Sequence, residues 1–267
     1  MEQQLLRKVQ LIESSILFDF DSFCKKHDLK YSLYAGTLLG AVRHGGFIPW
    51  DDDIDVCMDR NEYDRFLALW RKENPNGYYL QGTDDPSYER INHTKIRKDG
   101  TILASKEEFE SGGHNGIWLD VFAFDKVPLN KRLKRKVMFW AKMKLIYTRG
   151  YPYTKGSKFL EFISRLLLLC PRKTQLKKRN KYECKILKYK DMQSDYEYVC
   201  LSCPMDLKFT YPSTVLKNFT ALDFEGKSVS VDSEYDQKLK IKFGDYMRLP
   251  PESERVCKHT PEVIKID

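Results

Sequence analysis

Leu5, Val9, Ile12, Ile16, Phe20 and Phe23 succeed one another at intervals of three and four. That spacing lays one apolar stripe along a helix from about residue 3 to 27, with polar residues on the other side. Tyr31 to Tyr34 then reads as a short strand running into Ala35-Gly36-Thr37, and Leu38 to Val42 as the start of a short helix. Gly45-Gly46 and Pro49 interrupt regular structure before Ile54 to Met58, a second strand of β-branched and apolar residues. Glu62 to Lys72 is predicted helical, with Tyr63, Phe66, Leu67 and Trp70 inward, and a third strand is predicted at Ile117 to Phe124.

The pattern changes at Lys131. Leu133, Val137, Trp140, Met143 and Tyr147 share one side of a helix, and Lys131, Arg135, Lys142 and Arg149 fall in a stripe opposite, although Lys136 and Lys144 intrude on the apolar side. A second helix, Lys158 to Leu169, is stopped by Pro171, and a third basic run reaches about Lys190. From 196 onward short strand candidates alternate with turns. The predicted organisation is a catalytic core over residues 1–130, a basic helical insertion over 131–195 and a return over 196–267 that completes the core. The fold class is α+β, a mixed sheet flanked by helices.

Charge sharpens that division. Residues 131 to 190 hold 20 Lys+Arg and 2 Asp+Glu, net +18, and the rest of the chain holds 26 and 36, net −10. A basic segment of this kind seeks an anionic surface, and the acidic remainder is left to carry chemistry. The segment admits three readings, a solvated face, a nucleic-acid arm or a platform on an anionic membrane surface, and no recognisable nucleic-acid motif is present. The 267 residues, 42% hydrophobic and 13% aromatic, are enough for one large core with an insertion. The start Met1-Glu2-Gln3-Gln4 lacks the features of a signal peptide, and the apolar run Leu166 to Cys170 is far shorter than the ~20 residues that span a bilayer. A cytoplasmic protein is expected. Seven cysteines, an odd number, argue for reduced thiols. Cys200 and Cys203 have no second pair at finger-like spacing, which leaves zinc without a full ligand set.

The chemical centre is Trp50-Asp51-Asp52-Asp53-Ile54-Asp55-Val56. On a strand, side chains two apart share a face, so Asp53 and Asp55 can aim carboxylates at one point while Ile54 and Val56 face the core. Such hard oxygen donors suit Mg²⁺, with Mn²⁺ as an alternative, and phosphoryl transfer asks little more of a protein than positioning and charge neutralisation. Asp120, between Trp118 and Phe122 in an otherwise apolar strand, is the candidate third ligand. There it is expected to be desolvated and costly to bury without a partner, which a nearby cation would supply; the alternative is a capped or paired core carboxylate. Gly36 and Thr37, between strand and helix, can offer backbone N–H groups to a phosphate.

Residues 31 to 60, YSLYAGTLLGAVRHGGFIPWDDDIDVCMDR, resemble the signature of the LicD phosphotransferases. The resemblance continues through Lys95-Ile96-Arg97, Gly116 to Phe122, Phe243 to Pro251 and His259. It implies a nucleotidyltransferase-like fold related to the fukutin group, and a metal-dependent enzyme that moves phosphocholine from CDP-choline to a hydroxyl of a cell-surface glycan or teichoic acid precursor, releasing CMP. By the same resemblance Gly36 and Thr37 line the donor phosphates, and Asp53, Asp55 and Asp120 form a Mg²⁺ site. Arg43, Lys95 and Arg97 are cationic candidates for the diphosphate, and Asp245 and His259 lie in the family's closing motif. Asp59 stands where the family usually has Pro. A lipid-linked glycan acceptor at the inner face of the membrane is implied, so by this resemblance the expected partner of the basic segment is an anionic membrane surface, not nucleic acid, and the protein is expected to be peripheral at that inner face. Another CDP-activated alcohol phosphate, ribitol or glycerol phosphate, would use the same core, and a non-catalytic membrane module is the remaining alternative.

Overall fold

The structure, a computed structural model, describes residues 2–82, 92–110, 112–152, 158–257 and 261–266. It divides into two compact units, one of residues 1–81, 94–123 and 213–267, the other of residues 82–93 and 124–212.

The first unit opens with α1 (Gln3–Lys26), whose buried residues Leu6, Val9, Ile16, Leu17, Phe20 and Phe23 lie along the predicted stripe. The chain continues through β1 (Ser32–Leu33), α2 (Ala35–His44), β2 (Asp55–Asp59) and α3 (Arg60–Glu73). Helix α2 ends at Gly45 in the left-handed region, φ 65°, where its N–H reaches Ala41 O at 3.2 Å. Helix α3 is capped by Asp59, whose carboxylate accepts from Asn61 N, so the residue that departs from the family pattern closes a helix end. Next come β3 (Tyr78–Gln81), β4 (Thr94–Lys98), β5 (Ile102–Ala104), α4 (Lys106–Glu110) and β6 (Trp118–Pro128). The sheet of this unit runs β1-β2-β6-β4-β3. Its pairs β1–β2, β4–β6 and β3–β4 are antiparallel.

Two local expectations change. Strand β2 begins at Asp55, not Ile54, so Asp53 sits in the loop ahead of it, and alternation along a strand is not what brings Asp53 and Asp55 together. Helix α2 begins at Ala35, which places Gly36 and Thr37 inside its first turn. Strand β4 is not evident from pattern because Thr-Lys-Ile-Arg-Lys offers one apolar side chain, Ile96.

In the second unit, Phe124–Pro128 of β6 is followed by α5 (Lys131–Arg149), α6 (Lys158–Leu167), α7 (Arg172–Leu187), β7 (Tyr196–Val199) and β8 (Tyr211–Pro212). Asn130 caps α5 by accepting from Arg132 N and Leu133 N. Helices α5 and α7 pack together, with Tyr147 stacked on Tyr182 at 6.1 Å and Lys144 bound to Glu183 at 2.9 Å. Lys144, an intruder on the predicted apolar side, is thus buried as one half of an ion pair. Arg172 donates to Tyr147 O (2.6 Å) and Thr148 O (2.8 Å), satisfying carbonyls at the C-terminal end of α5. The small core holds Val127, Val137, Ala141, Ile186, Val199 and Leu201.

The first unit resumes at Ser213 with the hairpin β9 (Phe219–Phe224) and β10 (Lys227–Asp232), then α8 (Tyr235–Phe243) and β11 (Val263–Lys265), which pairs with β5. Glu225 and Gly226 form the hairpin turn with φ 53° and 74°, the paired positive values of a type I′ turn. Ser32 of β1 is held from this late segment: its hydroxyl accepts from Asp232 N at 3.0 Å and from Lys238 Nζ at 3.1 Å. All seven cysteines are free thiols, and among the described residues no helix is long and apolar enough to cross a membrane.

Candidate functional site

The site grows from the turn between β1 and α2. Ala35 enters α2 with φ 46°, a conformation that strains a residue bearing a Cβ. Gly36 follows, and a Cβ built there would collide with the Asp51 carboxylate, so the lack of a side chain is what lets that acid approach. Tyr34 N donates to Asp55 O (2.9 Å), and Asp55 N donates to Thr37 Oγ1 (2.8 Å). Thr37 is 2% exposed, and its hydroxyl fixes the backbone of Asp55.

The acids converge from three elements. Asp51, Asp52 and Asp53 each bring a carboxylate oxygen within 4.8 Å of the others. Asp51 is anchored by Gln10 of α1, whose Nε2 donates to its carbonyl at 2.9 Å, and Cys257 Sγ donates to Asp52 Oδ2 at 2.9 Å. Asp120 enters from β6, the sheet neighbour of β2, with its N–H on Ile54 O at 2.8 Å. Burial, then the charges of Asp53, Asp120 and Asp51, push the Asp55 carboxyl well above the usual range, and Lys242 of α8 works against that rise.

Glu13 joins them from α1. It is completely buried, neither carboxylate oxygen has a hydrogen-bond partner, and burial followed by Asp53, Asp52, Asp51 and Asp120 raises its pKa well above the ordinary value. Sequence reasoning passed over this residue, yet a signal was present. Position 13 falls on the stripe of Val9, Ile16 and Phe20, where a carboxylate is costly without a function or a partner.

Of the candidate cations, Lys95 stands opposite Asp120 in the β4–β6 ladder and binds both its oxygens, at 2.8 and 3.0 Å. Trp118 Nε1 donates to the same carboxylate at 3.0 Å, and the Lys95 ammonium lies 4.3 Å from the Trp118 ring centroid. Asp120 therefore has a protein counter-charge, provided by the antiparallel register, so its burial does not by itself call for a bound cation. Arg97 is 5% exposed and is committed to Gln81 Oε1 (2.6 Å) and Gly116 O (2.8 Å). Arg43 donates to Tyr246 O at 3.0 Å, and burial, then Arg255, hold its pKa down, which marks two guanidinium groups in one another's field. Lys242, absent from the sequence-based set, donates to Tyr34 Oη at 3.0 Å and lies 4.5 Å from that ring's centroid. Asp245 is exposed in the turn after α8, and His259 lies outside the described residues.

Hard carboxylate oxygens gathered in mutual repulsion, with an orphaned buried pair on Glu13, make a donor set suited to a divalent cation. Two cations act on the acids, Lys95 on Asp120 and Lys242 on Asp55.

Comparison with known proteins shows what the chain resembles. Residues 28–147 match the LicD/FKTN/FKRP nucleotidyltransferase domain. Over 272 aligned positions, 98% of both chains, the sequence is 31% identical to the lipopolysaccharide cholinephosphotransferase LicD of Haemophilus influenzae. It is also 49% identical over 114 residues to an uncharacterised protein of Rickettsia prowazekii, covering 42% of this chain and 39% of that one.

Proposed function

The chain belongs to the LicD family, and from that premise we propose that it transfers phosphocholine from CDP-choline to a hydroxyl of a surface glycan precursor, lipopolysaccharide being the relative's named substrate. The observation that carries this reading is the end-to-end likeness to the Haemophilus enzyme, joined to a cluster of carboxylates whose mutual repulsion a cationic ligand would relieve. In the reaction the acceptor oxygen attacks the phosphocholine phosphorus, an O–P bond forms, and the bond to the bridging oxygen breaks as CMP leaves and the hydroxyl proton is lost.

Asp53, Asp55 and Asp120 would hold Mg²⁺ or Mn²⁺, with Asp51, Asp52 and Glu13 beside them. When bound, the ion neutralises diphosphate charge and draws electrons from the reacting phosphorus. Thr37 fixes Asp55 in place, Gly36 admits Asp51, and Lys95 orients Asp120. Arg43, with Arg255 close enough to feel its charge, and Lys242 are the groups suited to the donor's phosphates. A glycan acceptor carried on lipid would bring the enzyme to an anionic membrane surface, which the +18 segment favours.

The test is to incubate the purified protein with Mg²⁺, a lipid-linked glycan acceptor and a panel of CDP-choline, CDP-ribitol and CDP-glycerol, following CMP and the modified glycan. CMP and acceptor modification with CDP-choline, lost in Asp53→Asn and Asp55→Asn, are expected. Turnover of CDP-ribitol or CDP-glycerol alone would replace the donor, and wild-type turnover in the presence of excess chelator would remove the metal.

A further inference from the structure

Helix α6 is built inside out. Ser164 is its only buried residue, while Phe159 is 69% exposed, Phe162 63% and Leu166 57%. Leu169, just past its end, is 78% exposed. These four apolar positions follow at spacings of three, four and three, so they form one stripe along the outer face. Contiguous apolar surface of this kind marks an interaction site. Beside it lies a groove of about 490 Å³ whose lining includes Leu145, Ile146 and Leu160, together with the cations Lys142 and Arg149.

Charge identifies the occupant. The two acids between residues 131 and 190 are already engaged, Glu161 with Arg165 at 2.7 Å and Glu183 with Lys144 at 2.9 Å. Lys144 and Arg179 are buried, but Lys142, Lys158, Arg165, Lys173 and Lys177 are exposed, so much of the segment's positive charge faces outward alongside aliphatic and aromatic side chains. Cations flanking an exposed apolar stripe are the chemistry of a helix lying in a membrane interface, and a polar nucleic-acid backbone would have no use for the stripe.

We propose that α6 docks the second unit on an anionic phospholipid leaflet, with Phe159, Phe162, Leu166 and Leu169 among the acyl chains and Lys142 and Arg149 at the lipid phosphates. The proposal names the element behind the membrane association suggested above and rests on that reading for its purpose. Its test measures vesicle binding without any transfer reaction, so either can fail alone.

Flotation of the full chain is compared on vesicles of equimolar phosphatidylglycerol and phosphatidylcholine and on pure phosphatidylcholine. Wild type should float with the anionic vesicles only, and Phe162→Ser/Leu166→Ser should weaken that binding roughly tenfold or more, because two apolar side chains no longer leave water. Since both positions are exposed, the variant should keep the wild-type melting temperature. Phe162→Trp should show a blue-shifted emission on anionic vesicles and quenching by lipids brominated in the acyl chain. Unchanged flotation of the double variant, or no quenching, would mean that charge alone makes the contact and would overturn the insertion. Failure of wild type to float, together with a dimer that the double variant dissociates, would overturn it in favour of contact between copies.

Discussion

Lys95 Nζ stands 2.8 Å from Asp120 Oδ1, directly across the β4–β6 ladder, with both side chains at most 15% exposed. Removing one member of a mostly buried pair strands the other in a low-dielectric setting. Asp120→Asn and Lys95→Met are each expected to cost about 3 kcal/mol in the metal-free protein. The double variant should cost less than the sum, which a urea-unfolding cycle would measure. If Asp120→Asn stabilised the metal-free protein instead, repulsion from the neighbouring acids would outweigh the pair with Lys95.

Glu13 has a folded-state pKa raised above its ordinary 4.5, chiefly by burial. Its contribution is complete below that value and is lost as pH rises toward the folded pKa, because the unfolded chain gives up the proton first. In chelator, wild-type stability should therefore fall as pH is raised above about 4.5, and Glu13→Gln should fall less steeply. Mg²⁺ or Mn²⁺ should restore wild type more than the variant at the upper end. Parallel melting curves with pH for the two proteins would show that Glu13 does not feel the acidic site.

Gly36 gives way to nothing larger. Gly36→Ala places a methyl group against the Asp51 carboxylate, an overpacking expected to cost about 1–3 kcal/mol and to weaken metal binding measured by calorimetry. A variant with wild-type stability and metal affinity would show that Asp51 moves aside freely.

Glu225 ties the β9–β10 turn to the end of α2, accepting from Arg7 at 2.6 Å and from Phe47 N at 3.1 Å. The hydrogen bond from Arg7 is the main cause that holds its carboxyl below 4.5. That stability is present above 4.5 and lost as pH falls through the lower folded value. Glu225→Gln is expected to lose about 1 kcal/mol at neutral pH, with the deficit closing in acid. Urea unfolding at neutral pH and near pH 3 checks it, and a deficit constant with pH would assign the loss to packing.

Local signals carried much of this in the sequence. The α1 stripe, the glycine after β1 and the run of aspartates depend on neighbours in the chain, where periodicity and residue type speak directly. The pair of Lys95 with Asp120 depends on register between strands 25 residues apart, which one-dimensional pattern does not encode. Lys242 reaches Tyr34 from 208 residues away and looked like any surface lysine. Glu13 was hidden by the strength of the stripe around it, and the outward face of α6 was hidden because an apolar stripe does not say whether protein or something else will cover it.

The hold of Asp232 and Lys238 on Ser32 bears on how the protein is made. During synthesis α1, β1 and the aspartate run leave the ribosome before β10 and α8, so they emerge while the residues that brace β1 and temper Asp55 are still untranslated. Phe124–Pro212 forms most of the second unit as one uninterrupted stretch and can fold as soon as it emerges. The first unit must wait for a hairpin and helix some 200 residues downstream of its first strand. Until then its acids stand without Lys242, so a ribosome-bound chain truncated before α8 would be expected to lack a protected amide pattern at β1 and to carry no competent site.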